Sequence, residues 1–372
     1  MKSANAHLIG QGGATLAEQL ITPALCIDLD IMTANLELVA AKAKAAGKSL
    51  RPHVKAHKCP AIAARQIKAG AVGLSCATIG EVAAMAHAGY DGLLLTSSFA
   101  NTAAARRLAA VTEGVSDLMV AVDSVAGVAA LAQVFSTDRP IGILIDINVG
   151  QNRTGIDELA DIRAVATAVA QSPGLTLRGI QAYYGQLQGV PAFADRKQAI
   201  QPLWARIALV RDTLRADGHQ IDIISGSGTG TASIDLEGPF TEFQVGSYVL
   251  MDKMYNRVDN GWSLGQALSI ATRVVSNARP NRAVLDAGLK AMATDAGPTR
   301  ALDQAYVELE HGFLGDEHSV LIGDPALVPR LDELVHLVPP HCDPTMNLYR
   351  ELHVFSGGVL QDIWPIESSG YQ

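Results

Sequence analysis

Cysteine is scarce in this chain and forms no pattern. Cys26, Cys59, Cys76 and Cys342 make no CxxC pair and no even spacing, which reads as reduced thiols in a cytoplasmic protein rather than a disulfide framework. Charged residues are only 18% of the sequence, and the net charge of −8 comes with no basic run. That argues against nucleic acid or an anionic membrane as partner, so a small-molecule site must carry its own local positive charge. No segment approaches 18 unbroken apolar residues, and the opening MKSANAHLIGQGG holds no apolar stretch of signal-peptide length. Nothing is therefore expected to span a membrane, and the expected location is the cytoplasm. Internal repeats and low-complexity tracts are also missing.

The 372 residues, 48% of them apolar, suffice for two domains and a large buried core. Short apolar, β-branched runs alternate with Ala-rich stretches of helical periodicity. The runs are Leu50–Lys55, Val72–Ala77, Gly92–Ser97, Leu118–Asp123, Ile141–Asn148, Leu177–Tyr184, Ile221–Ser225 and Phe243–Val249. Helices are predicted between them, over Pro60–Ala69, Ile79–Ala88, Thr102–Val111, Ser124–Phe135, Glu158–Gln171 and Leu203–Ala216. Eight strands alternating with helices predict an α/β protein built on a (β/α)8 TIM barrel. A doubly wound open sheet competes, but the first strand–helix junction lacks GxGxxG.

After about Asn256 the pattern changes to short strand-like segments with few helices: Ala267–Val275, Arg282–Leu285, Ala305–Leu309, Ser319–Leu321, Glu333–Leu337 and Leu352–Phe355. This predicts a barrel over residues 22–255 and a C-terminal β domain over 256–372, with residues 1–21 expected to join the β domain. The segment Thr22–Asp30 either leads into the barrel or pairs with the β domain.

In a barrel, function sits in the loops after the strands. Lys55 lies there, in Arg51-Pro-His53-Val-Lys55-Ala-His57-Lys58. Burial or neighbouring positive charge lowers a lysine's pKa and frees the nucleophilic amine, the condition for a Schiff base with an aldehyde. The alternative is a basic loop around an ordinary surface lysine. The loop Ser225-Gly-Ser227-Gly228-Thr229-Gly-Thr231 suits an anion, because glycines let backbone N–H groups approach and hydroxyls add donors. Gly246-Ser247-Tyr248 is placed to complete the cup, although turns attract Gly and Ser in any case.

Arg153, after the fifth strand, could hold an anionic oxygen or pair with Asp146 or Asp157. Tyr183-Tyr184-Gly-Gln-Leu-Gln188 puts aromatic and amide groups after the sixth strand, one of the tyrosines being free to serve as packing. In Pro339-Pro-His341-Cys342-Asp343-Pro344, His341 and Asp343 are two apart, so an extended segment would point both to one side. Imidazole plus carboxylate suits Mn²⁺, Mg²⁺, Zn²⁺ or Fe²⁺; a Pro-rich turn with a capping Asp is the alternative. Asp286 and Asp295 form a further polar cluster that supports either a site or a domain interface.

Taken together, RPHVKAHK, the Arg153 loop, QAYYGQLQ, SGSGTGT, QVGSY, DAGLKAMATD and PPHCDPTMNLY resemble the fold-type III, alanine racemase-like pyridoxal-phosphate enzymes. Within that group the likeness is to the D-threonine aldolase and D-serine dehydratase branch, over nearly the whole chain. The resemblance implies a barrel plus β domain in a homodimer, with the site near the subunit interface. It implies that Lys55 carries pyridoxal 5'-phosphate and that Lys55, His53, Arg153 and Gln188 form the catalytic set. Tyr183, Ser227, Gly228, Thr229, Gly246, Ser247 and Tyr248 then join Lys55 and Arg153 around the cofactor. His341 and Asp343 hold a divalent ion, Mn²⁺ foremost, with Mg²⁺, Zn²⁺ or Co²⁺ as alternatives.

Relatives that are dehydratases typically carry Cys as the second metal ligand, whereas the aldolases read HCD. The implied reaction is thus retro-aldol cleavage of D-threonine and other D-β-hydroxy-α-amino acids to glycine plus an aldehyde. Dehydratase-type β-elimination is the alternative, and racemisation a remoter one. One departure stands out: some relatives have a His after the Gln of AYxGxxQ, where this chain has Gly189, so any base role of that His passes to water or another group.

Overall fold

The computed structural model describes residues 3–369. The eight expected barrel strands all form, most of them shorter than their apolar runs and the sixth shifted two residues toward the N-terminus. They are β2 (Ser49–Leu50), β3 (Leu74–Cys76), β4 (Leu93–Leu95), β5 (Leu118–Val122), β6 (Ile141–Ile147), β7 (Leu175–Ala182), β8 (Ile223–Gly226) and β9 (Glu242–Phe243), preceded in the chain by β1 (Ala24–Asp28). They pair in parallel in the order β2-β9-β8-β7-β6-β5-β4-β3. The ends of that order meet through a parallel bridge between His53 and Ser75, where the Ser75 amide donates to the Pro52 carbonyl at 2.8 Å. The sheet is a closed barrel, and the open doubly wound alternative is excluded.

Helices alternate with the strands close to the expected ranges: Pro60–Lys68, Ile79–His87, Thr102–Val111, Val125–Ala132 and Leu159–Ala170. Several start on the side-chain caps that favour helix initiation. Thr78 accepts from the Glu81 amide, Asn101 from Ala104 and Ser124 from Gly127. The helix expected to begin at Leu203 instead begins at Phe193 and runs through Pro202 to Ala216.

Period-two alternation sorts each barrel strand into an outer face against the helices and an inner face in the lumen. Leu94, Met119 and Leu144, backed by Ile223, fill the lower lumen as a separate apolar cluster. Two residues further along their strands stand Thr96, Asp146 and Ser225, with Gln181, Gln244 and His53 at the same level; all except Thr96 are buried.

The second sheet adds β10 (Leu268–Arg279), β11 (Arg282–Leu285), β12 (Glu310–Phe313), β13 (Ser319–Ile322), β14 (Leu334–Leu337), β15 (Glu351–Ser356) and β16 (Val359–Pro365). Its order is β12-β13-β11-β10-β1-β15-β16, with β14 also on β10. Of the two fates open to Thr22–Asp30, pairing wins: β1 runs antiparallel to β10 and parallel to β15. Asp28 then caps the helix Leu29–Ala45 that leads into the barrel. The expected strand at Ala305–Leu309 is a correction. That stretch contains a helical turn, and the strand follows at Glu310–Phe313, where Glu310, His311 and Gly312 hide it from an apolar pattern.

Near the seam of the barrel, Arg51 and Glu242 form a buried bidentate pair, Nε to Oε1 at 2.9 Å and Nη2 to Oε2 at 3.0 Å. Arg51 also donates to the Gly92 carbonyl. Removing one partner leaves an uncompensated buried charge. Glu242→Ala is therefore expected to lower unfolding stability in urea by about 3–5 kcal/mol. The joint change Arg51→Met with Glu242→Leu should recover most of that loss. A single-variant loss under about 1 kcal/mol would show that the pair contributes no more than an exposed one.

Candidate active site

The polar layer of the lumen is a hydrogen-bonded floor. Gln181 donates through Nε2 to the Thr96 carbonyl at 2.9 Å and to Asp146 Oδ1 at 3.1 Å. Gln244 donates to Gln181 Oε1 at 3.2 Å and to Ser225 Oγ at 2.9 Å. Thr154 donates to Asp146 at 2.8 Å. Burial raises the Asp146 carboxyl to about 6 against these hydrogen bonds.

Above the floor opens a cavity of about 50 Å³, partly continuous with solvent, lined from the C-terminal ends of the strands and from the β domain. Lys55 stands at its edge, in the helical turn Val54–Ala56 that follows β2. His53 Nδ1 caps this turn by accepting from the Lys55 amide at 3.4 Å. The Nε2 proton of His53 then goes to Thr96 Oγ1 at 3.2 Å, and Thr96 donates onward to the Cys76 carbonyl at 3.0 Å. Burial, reinforced by the charges of Lys55, His57 and Arg153, holds the His53 pKa well below the ordinary imidazole value, so it is a neutral donor at pH 7.

The basic string does not act as one patch. His57 turns inward, its Nδ1 accepting from the Cys59 amide at 3.1 Å and its Nε2 donating to Gln66 at 3.2 Å. Lys58 bonds Asn347 at 2.7 Å and lies 3.6 Å from Glu81. This alters the expectation for Lys55. Burial pushes its ammonium down, but Tyr183, Asp343 and Glu81 outweigh burial and Arg153, and the pKa ends above the ordinary lysine value. Lys55 Nζ lies 3.9 Å from Asp343 Oδ2 and 5.7 Å from the Tyr183 ring centre. The Arg153 guanidinium lies 5.7 Å from the same ring.

Among the described residues Arg153 makes no ion pair. Asp146 is bonded to Gln181 and Thr154, and Asp157 accepts from Asn148 at 2.9 Å. Of the two tyrosines, Tyr183 lines the cavity, whereas Tyr184 is fully buried with its hydroxyl on Asp235.

Gly228, Thr229, Gly246 and Ser247 line the cavity as expected of an anion cup. The buried Thr229 hydroxyl has no partner of its own. A Cβ on Gly228 would sit 2.5 Å from Gln188 Oε1, and one on Gly230 2.2 Å from the Gln188 carbonyl, so the loop can pass this close only as glycine.

Four expected residues do not line the cavity: His341, and Gln188, Ser227 and Tyr248, which lie behind its wall. Gln188 accepts from the Gly230 amide at 3.0 Å and donates to Thr231 Oγ1 at 3.1 Å, which makes it a brace for the loop, with no amide group left facing the cavity. Ser227, in the left-handed region at φ 68°, turns its hydroxyl toward Thr231 Oγ1 at 3.4 Å. Tyr248 is buried, accepting from Gln66 Nε2 at 3.4 Å.

The segment around His341 is not extended. His341 is the cap residue of the short helix Cys342–Met346, and Asp343 lies in its first turn. Asp343 lines the cavity and accepts from Ser247 Oγ at 3.1 Å. The His341 ring meets Asp295 Oδ2 through Nδ1 at 2.6 Å, which leaves Nε2 free as a ligand. Among the described residues no group of three or more His, Cys, Asp or Glu is arranged to hold a metal ion. Sequence reasoning missed four cavity-lining residues: Thr96, Gln181 and Gln244 of the polar floor, and Tyr255, which sits in a short turn between the two domains, outside any recognisable motif.

Residues 27–253 match the family model "Alanine racemase, N-terminal domain", and residues 267–355 match "Putative serine dehydratase domain". The chain is 34% identical to a D-threonine aldolase from Arthrobacter sp, over 97% of this chain and 96% of that protein. The chain belongs to the alanine racemase-like family, in its D-threonine aldolase branch. A 3-hydroxy-D-aspartate aldolase from Paracoccus denitrificans (strain Pd 1222) is also 34% identical, over 95% of this chain and 93% of that one. The crystal structure of D-threonine aldolase from Filomicrobium marinum superposes with a TM-score of 0.91 at 32% identity, covering 95% of this chain and 96% of that one. An alanine racemase-like barrel with an attached β domain is thus the fold of the family as well as of this chain.

The buried His57 has a pH signature. Burial, opposed by its hydrogen bonds to Gln66 and Cys59 and by the charge of Asp343, lowers its pKa to about 4. The unfolded chain takes up the proton first, near pH 6.5. The contribution of His57 is complete above that value and drains as pH falls from 6.5 toward 4, by on the order of 3 kcal/mol. His57→Asn keeps an acceptor for the Cys59 amide and should flatten this part of the stability–pH curve. An unchanged slope in urea titrations between pH 4 and 6.5 would contradict the assignment.

Proposed function

We propose that this chain is a pyridoxal-phosphate- and divalent-metal-dependent lyase that cleaves D-threonine and related D-β-hydroxy-α-amino acids to glycine and an aldehyde. One observation carries the reading: a lysine amine, an unpaired arginine, a glycine-lined cup with an unpartnered hydroxyl, and a carboxylate converge on one cavity. The likeness to aldolases along almost the full chain supports the same reaction class.

The residues fit the cofactor. The Gly228–Thr229 and Gly246–Ser247 backbones, with the free Thr229 hydroxyl, suit a phosphate, Arg153 suits a second anionic oxygen, and Lys55 is the amine for covalent attachment. For the metal the fit is a pair of donors, His341 Nε2 and the Asp343 carboxylate, which needs ligands from water or substrate to complete a shell. Bound at these positions, the cofactor supplies an electron sink at the substrate α-carbon and the metal a Lewis acid for the β-hydroxyl.

The chain's own residues do the rest. Lys55, whose amine is held protonated by Tyr183 and Asp343 against burial, would carry the cofactor once deprotonated. Neutral His53 holds the Lys55 turn through its amide and keeps its own proton on Thr96. Lys55 and Arg153 each lie 5.7 Å from the Tyr183 ring, which faces both cations. Loss of the β-hydroxyl proton turns its O–H pair into the carbonyl of the aldehyde. The Cα–Cβ pair stays on Cα, which then takes a proton to become glycine.

Gln188 is left out of the catalytic set because it braces the loop. Gly189 faces open space, with nothing within 4 Å of a built Cβ, so no side chain acts from that position. Mn²⁺ as the metal, a homodimer and a cytoplasmic location belong to the same reading. Four free, buried cysteines support a reducing compartment.

Incubation with D-threonine and Mn²⁺ should yield glycine and acetaldehyde, and a chelator should stop it. Formation of 2-oxobutanoate and ammonia instead would make the protein a dehydratase, and L-threonine would make it a racemase. Turnover that survives the chelator would remove the role given to His341 and Asp343. Lys55→Ala should lose both turnover and the visible absorbance of the bound cofactor.

A further inference from the structure

The cavity is assembled from two units. Lys55, Arg153 and the anion cup come from the barrel, whereas Asp343 comes from the β domain and Tyr255 from the segment between them. Something must set these parts in register to a fraction of an ångström. Near Lys55 the two units meet through rotatable side chains, Ser247 to Asp343 at 3.1 Å and Lys58 to Asn347 at 2.7 Å, while Lys55 and Asp343 approach to 3.9 Å.

The tight link lies one layer behind. Asp252 is fully buried, and both of its oxygens are used. Oδ1 accepts from the Tyr255 amide at 2.8 Å, and Oδ2 accepts from the Cys342 amide at 2.7 Å. Cys342 is the residue between His341 and Asp343, and its amide is one of the N–H groups that a helix start leaves without an internal partner. The neighbouring amide of Lys253 donates to the Pro339 carbonyl at 3.0 Å and anchors the other side of the same turn. No side-chain atom of Asp252 lines the cavity.

We propose that Asp252 is a positioning residue, the single carboxylate that holds Tyr255 and the His341–Asp343 turn at a fixed place relative to Lys55. The inference rests on the reading of the function given above. A carboxylate is required because both partners are donors. Asparagine offers one acceptor and turns an N–H toward the other amide, and alanine offers none. Charge-assisted bonds of this kind hold geometry better than neutral ones, and partners behind a ligand typically influence affinity or activity by 10–100-fold.

The test compares wild type with Asp252→Asn and Asp252→Ala by steady-state kinetics on D-threonine with Mn²⁺, by absorbance of the bound cofactor, and by hydrogen–deuterium exchange. In Asp252→Asn, kcat should fall about tenfold and KM stay within about threefold, with the cofactor absorbance retained. The amides of residues 253–256 and 341–346 should exchange at least about tenfold faster. Asp252→Ala should extend each change in the same direction.

Wild-type kcat in both variants, or unchanged exchange in both segments, overturns the inference. So does a loss of kcat that only follows an equal loss of cofactor absorbance and melting temperature, the pattern of general destabilisation. Wild-type protein that cleaves no D-threonine overturns the functional reading instead, and the inference with it; a working wild type matched by Asp252→Asn overturns the inference alone.

Discussion

The alternation of side chains along the barrel strands is the constraint on which the site depends. A strand places every second residue in the lumen, so one step along the inner face carries the chain from Leu94 to Thr96, from Leu144 to Asp146, from Ile223 to Ser225 and from Glu242 to Gln244. The lower step is apolar, apart from the Arg51–Glu242 pair near the seam, and seals the barrel. The upper step is polar and would be costly to bury unless its groups satisfied one another. They do so through Gln181 and Gln244, which join Thr96, Asp146 and Ser225 into one network. A register slip of one residue would turn this floor outward against the helices, so strand pairing and site geometry are specified together.

The floor sets the level from which Lys55 and Tyr183 rise, but it cannot set the position of groups delivered by the second domain. That task falls to the connections on either side of the barrel. At the start of the chain, β1 lies in the second sheet between β10 and β15, and the next residues enter the barrel helix through the Asp28 cap. At the end of the barrel, the segment after β9 meets the His341 turn through the Lys253 amide, which donates to the Pro339 carbonyl, and the Asp252 carboxylate, which accepts from the Cys342 amide. The two domains are therefore crossed twice by the chain, and the site lies at the second crossing.

Much of this was legible in the sequence, for a physical reason. Parallel barrel strands are buried on both faces and read as apolar runs, and three of the helices between them begin at the Thr78, Asn101 and Ser124 caps, so element number and order could be read directly. The glycines of SGSGTGT read as a close approach to an anion, whereas the contact the fold displays at Gly228 and Gly230 is with Gln188. What could not be read was direction. In QAYYGQLQ nothing in the string distinguishes Tyr183, which faces the cavity, from Tyr184, which is buried on Asp235. Gln188 likewise looks like a reactive amide until the loop that it supports is folded against it. The His341–Asp343 spacing suggested an extended pair, but Pro344 sits at a position where a short helix accepts proline, and the turn coils. Tyr255 and Asp252 belong to no motif, and their importance exists only once residues distant in sequence have met.

The electrostatics of Lys55 show the same limit. Read along the string, its neighbours His53, His57 and Lys58 are cations that should lower its pKa. In the fold, burial keeps His53 and His57 neutral, and Lys58 is bonded to Asn347 beside Glu81. The groups that face the amine are Tyr183, Asp343 and Arg153, and the balance favours the ammonium. The free cavity thus holds two cations, Lys55 and Arg153, against one carboxylate, in a chain whose net charge is −8. Such a site draws in an anionic ligand. Were the charge on Lys55 consumed by covalent attachment, as the proposed function requires, the half-buried carboxylate of Asp343 would lose its facing partner, and a replacement cation would be favoured there. The charge that makes the cavity attractive to a phosphate is the one whose removal would make it attractive to a divalent ion, so the proposed cofactor and the proposed metal are electrostatically compatible at one site.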